Sequence, residues 1–60
     1  MELNEKYSMQ EIKSSGLVEK SIKDLNARIF TMDNKVYFFE NVNNRLFRLY
    51  SVINKRSFFL

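Results

Sequence analysis

The spacing of apolar and polar residues changes several times along this chain, and each change marks a predicted element. Ser8-Met9-Gln10-Glu11 has the form of a capping box, in which the Ser8 hydroxyl accepts from the Glu11 amide and the Glu11 carboxylate accepts from the Ser8 amide. Tyr7 and Ile12 stand at the two positions of a hydrophobic staple around it, so a helix is predicted to start there. It must stop at Ser14-Ser15-Gly16, because Gly16 supplies the positive φ that closes a last helical turn at no steric cost. Leu17, Ser21/Ile22 and Leu25 then recur at helical spacing. Glu19, Lys20, Lys23 and Asp24 fall on the other side, which predicts a short amphipathic second helix ending near Asn26.

Beyond it the period shortens. Arg28-Ile29-Phe30-Thr31-Met32 and Lys35-Val36-Tyr37-Phe38-Phe39 are β-rich runs separated by Asp33-Asn34, two residues that accept the positive φ of a tight turn. A hairpin is predicted. If Asp33-Asn34 is its two-residue loop, Ile29 faces Phe38 and Thr31 faces Val36, while a slip of one residue would exchange the buried face. After Glu40, Asn41 suits an N-cap, and Val42, Leu46, Leu49, Tyr50 and Ile53 form an i, i+4, i+7, i+8, i+11 stripe that predicts a third helix. Asn44, Arg45, Arg48, Ser51 and Lys55 lie on its outward face, to be solvated or to meet phosphate.

Sixty residues bound the chain to one domain, here 1–60 with an N-terminal arm (1–6) and an apolar tail (55–60), and a fold this small has modest stability. The absence of cysteine and histidine removes disulfide staples, the usual soft metal ligands and the commonest nucleophile and base. No Gly-rich phosphate loop or paired carboxylate replaces them, so no catalytic residue, metal or cofactor is expected, and the chain is read as a binder rather than an enzyme. Val36-Tyr37-Phe38-Phe39 and Phe58-Phe59-Leu60 are the longest apolar runs, far short of a membrane span. Met1 to Lys6 lack the basic start and apolar core of a signal peptide, and a soluble, cytoplasmic protein is expected. The net charge of +3 and a pI near 9.5 suit an anionic partner such as DNA, or merely aid solubility.

The segment Gly16-Leu17-x-x-x-Ser21-Ile22-x-x-Leu25, preceded by Ile12, resembles the helix-turn-helix of bacterial and phage DNA-binding proteins. With the hairpin and closing helix, the order resembles the minimal winged helix of MerR-type domains and of excisionases, or recombination directionality factors. That resemblance implies an α+β fold: two short helices, a β-hairpin and a C-terminal helix. It also implies an accessory protein of a phage or mobile element that binds DNA, the integrase, or both, to favour excision.

On this reading Glu19, Lys20, Lys23 and Asp24 face the groove. Arg28, Asn34, Lys35, Arg45 and Arg48 are candidate DNA contacts, with Asn34 and Lys35 at the tip of the wing. Two acids beside two lysines leave the second helix nearly neutral, so DNA binding is expected to be weak without an integrase or another protein. Phe58, Phe59 and Leu60 either dock on the domain or insert into that partner. The competing readings are an ordinary helical corner with a hairpin that only covers the core, a small transcription regulator, and an inhibitor or adaptor that touches protein alone.

Overall fold

The architecture is that of a computed structural model, which describes residues 1–20 and 27–58, the Phe58 side chain excepted. It is a single antiparallel sheet of five strands with a helix across one face. β1 (Lys6–Ser8) leads into α1 (Met9–Ser14), followed by β2 (Val18–Lys20), β3 (Arg28–Met32), β4 (Lys35–Asn41), β5 (Leu46–Asn54) and a short α2 (Lys55–Phe58). The strand order is β1-β5-β4-β3-β2. Four strands therefore form a continuous meander, and β1 closes it on the far side of β5. The two edge strands, β1 and β2, are the shortest, at three residues each.

The start of the chain folds as its local signals direct. Ser8 caps α1, its hydroxyl accepting from the Glu11 amide at 3.1 Å while its own amide donates to Glu11 Oε1 at 2.8 Å. Hydrogen bonding with Ser8, its backbone amide first and its side chain second, holds the Glu11 carboxyl below its ordinary value. The Ser15 and Gly16 amides close the last turn onto the carbonyls of Glu11 and Lys13, and Gly16 takes φ +94°. The hairpin also has the two-residue loop: Ile29 pairs with Phe38 and Thr31 with Val36, and Asp33 takes φ +55°.

The winged helix-turn-helix is overturned. Where the second helix was expected, Val18–Lys20 is a strand paired with Ile29–Thr31; residues 21–26, with Lys23 and Asp24, lie outside the described residues. Pairing gives Glu19 a cross-strand partner in Arg28 that a helix would not offer. The third helix is likewise a strand, β5, running the length of β4. Its register is interrupted between Phe38 and Phe39, where Ser51 pairs with Phe38 and Leu49 with Phe39, so that Tyr50 is an extra, bulged residue. A bulge adds one residue to a period of two. The inward positions of β5 therefore fall at Phe47, Leu49 and Val52, and of the expected stripe Val42, Leu46, Leu49, Tyr50 and Ile53 only Leu49 is among them.

Register divides the sheet into two faces. The inner face carries Tyr7, Phe47, Leu49, Val52, Tyr37, Phe39, Phe30 and Met32, and Ile12 of α1 with Leu17 covers it to make the main core. Phe30 and Phe39 meet edge to face with centroids 5.4 Å apart, an arrangement worth about 0.5–1.5 kcal/mol beyond area burial. The outer face holds a second apolar group in which Ile29 and Val36 are buried, Phe38 and Ile53 half-buried, and Tyr50 and Val18 exposed. No buried side-chain nitrogen or oxygen among the described residues lacks a partner.

Candidate nucleic-acid interface

Three of the expected DNA contacts, Glu19, Arg28 and Arg48, are engaged within the fold. Arg28 ends the inner face: its guanidinium lies over the Phe47 ring, 5.4 Å from the centroid, and forks onto the Glu19 carboxylate through Nε and Nη2, the latter at 2.8 Å. Arg48 donates to Glu40 Oε1 and to Asn4 Oδ1, each at 2.7 Å, and so ties β5 to β4 and to the turn before β1. Of the remaining candidates, Lys20 is exposed at the end of β2, and Arg45 is exposed in the loop before β5. That loop is shaped by asparagines. Asn41 Oδ1 accepts from the Asn44 amide, and Asn43 Oδ1 from the amides of Arg45 and Leu46.

The Glu19–Arg28 pair makes a prediction about pH. The hydrogen bond from Arg28, ahead of any other cause, holds the Glu19 carboxyl below its ordinary 4.5. A carboxyl lowered by folding stabilises the protein above its unfolded pKa, and that contribution is lost as pH falls through the folded value. Both side chains are more than a third exposed or close to it, so solvent screening limits the effect to under about 1 kcal/mol. Urea unfolding of Glu19→Gln should show this small deficit at pH 7 and none at pH 2. A deficit of equal size at both would mean that packing, not charge, holds the pair.

Asn34 and Lys35 do come together with other polar groups, at the end of the sheet where the β3–β4 turn meets the exit of β5. Lys35 pairs with Asn54, and the Lys55 amide donates to the Asn34 carbonyl at 2.7 Å, which seats α2 beside the turn. An open recess of about 350 Å³ results, lined by Asn34, Asn54, Arg56 and Ser57. Arg56 is the cation of that lining, and Lys35 and Lys55 are the chain neighbours of Asn34 and Asn54. Amide, hydroxyl and guanidinium donors around such a recess suit an anion that accepts several hydrogen bonds.

Asn54, Arg56 and Ser57 were not among the residues expected to bind. One signal points to their neighbourhood. Residues 41–60 contain Arg45, Arg48, Lys55 and Arg56 and no acid, whereas residues 1–40 hold six basic and seven acidic side chains. The whole positive excess of the chain thus belongs to β5 and its flanks. Phe59, Leu60 and the Phe58 side chain, the expected partner contacts, lie outside the described residues.

Among the described residues no three His, Cys, Asp or Glu side chains gather as metal ligands, and no helix is long and apolar enough to cross a membrane. Comparison of the chain with protein-family models, with curated proteins and with solved structures finds no match.

Proposed function

We propose that this protein is a nucleic-acid-binding module that holds the phosphodiester backbone at the β5–α2 end of its sheet. The observation that carries the reading is the placement of all the excess positive charge on β5 and its flanks, with Arg56 and the donors of Asn34, Asn54 and Ser57 lining one recess and Lys35 next to Asn34 in the chain. Phosphate is an anion that such donors satisfy, and Lys and Arg gain further by releasing its counterions. The narrower role of an excisionase beside an integrase was tied to the helix pair. A sheet takes that pair's place, so the reading stops at the class of ligand.

Charge reversal tests it. Lys35→Glu with Arg56→Glu changes two exposed side chains outside the core, and should weaken binding of a fluorescent DNA or RNA oligonucleotide about tenfold or more in low salt. The slope of log affinity against log salt should also flatten by roughly 1.4–1.8 for two lost phosphate contacts. Unchanged affinity and slope in the folded double variant would remove the recess from the interface. Failure of the unaltered protein to bind any oligonucleotide at low salt would end the proposal.

A further inference from the structure

We infer that Tyr50 is a stacking platform for a base of a single strand, which makes single-stranded nucleic acid the preferred ligand of this protein. The inference rests on the proposed function and deepens it. Tyr50 is the bulged residue of β5, and a bulge re-aims a side chain at the cost of a ladder irregularity. Here its ring joins the outer face beside Phe38, with centroids 6.2 Å apart and planes at 51°, and it stays 40% exposed. The core does not require that ring outside: Leu49 and Val52 already fill the inward positions on either side.

Cations flank the ring along the same strand. Arg48, its guanidinium held by Glu40 and Asn4, precedes it by two residues, about 7 Å of strand, and the exposed Lys6 pairs across from Arg48. Lys55 and Arg56 follow beyond the end of β5. An aromatic ring between cationic groups is the arrangement that holds single strands, the phosphates tracking the charge while a base stacks on the ring. A duplex keeps its bases paired and stacked on each other, so it presents none to a ring on a sheet surface. An ordinary cross-strand Tyr–Phe pair would explain the contact with Phe38 alone, through a modest gain in sheet stability.

The test compares the full chain with Tyr50→Phe, Tyr50→Leu and Lys35→Glu/Arg56→Glu, titrated against a fluorescent 12-nucleotide oligothymidylate and a 12-base-pair duplex. The single strand should bind more tightly than the duplex. Tyr50→Phe, which keeps the ring, should stay within about twofold, and Tyr50→Leu should lose roughly five- to a hundredfold on the single strand only. If Tyr50→Leu binds the single strand like the unaltered chain while the charge reversal still weakens it, the stacking role is wrong and the backbone-binding function stands. If neither oligonucleotide binds, both fail. Should Tyr50→Leu not fold, photocrosslinking of the unaltered protein to a bromodeoxyuridine strand decides: an adduct on Tyr50 supports the inference, and adducts only elsewhere overturn it.

Discussion

Phe39→Ala should leave the protein largely unfolded at room temperature. Phe39 is fully buried, meets Phe30 edge to face, and pairs with Arg28 on one side and Leu49 on the other. Removing such a ring costs about 3–5 kcal/mol, part lost transfer energy and part cavity. A domain of this size has roughly 3–9 kcal/mol to lose. Because β4 lies in the middle of the sheet, the hole cannot be closed by shifting an edge. Circular dichroism should show loss of the sheet signal, or a melting point lower by roughly 15–40 °C. Val42→Ala, in the exposed loop, should change stability by no more than about 0.5 kcal/mol. A Phe39→Ala protein that melts within a few degrees of the unaltered chain would show that the two phenylalanines do not hold the core.

Ile12→Ala should release α1 first and the rest of the fold second. The helix has six residues and Ile12 is the one it buries fully. A helix so short has no stability of its own, and what keeps it formed is tertiary packing. Its cap adds to this but does not replace the anchor. Losing most of that side chain costs about 2–5 kcal/mol, and the loss falls on the interface between helix and sheet. Hydrogen exchange should therefore show the Ser15 and Gly16 amides, which close the helix, exchanging faster than the amides between β4 and β5. Equal acceleration everywhere would mean that α1 and the sheet unfold only together.

The elements read correctly from the sequence are those whose signals lie within a few residues of one another. Ser8 and Glu11 satisfy each other across one turn, Gly16 meets a local need for positive φ, and Asp33-Asn34 sets the hairpin register. The misread elements depend on partners far along the chain. Val18–Lys20 is extended because β3 pairs with it, a consideration invisible in a window that sees Leu17, Ile22 and Leu25 at helical spacing. β5 was hidden because both of its faces are apolar: the apparent helical stripe joined Leu49 of the inner face to Tyr50 and Ile53 of the outer face and to Val42 of the loop before the strand.

The site was legible to the same degree. Asn34 and Lys35 announced themselves through the turn, but Asn54, Arg56 and Ser57 reach them only because β5 is a strand that returns its far end to that turn. With β5 misread as a helix, no argument from spacing could bring them there. Arg28 could not be recognised as tied to Glu19, nine residues earlier, until both were known to lie on adjacent strands.

The bulge at Tyr50 also bears on how copies of this protein treat one another. β1 pairs with β5 from Leu46 to Arg48, and backbone bonds from Asn4 and to Glu5 extend the cover to Leu49. Beyond Leu49, no described strand lies along that side of β5. A straight apolar edge left bare is a template on which another chain can add a strand and start a fibre. The irregularity begins where the cover ends, and the added twist makes the remaining edge a poor template. The residue that turns a ring outward thus also guards the sheet against growing past its own boundary.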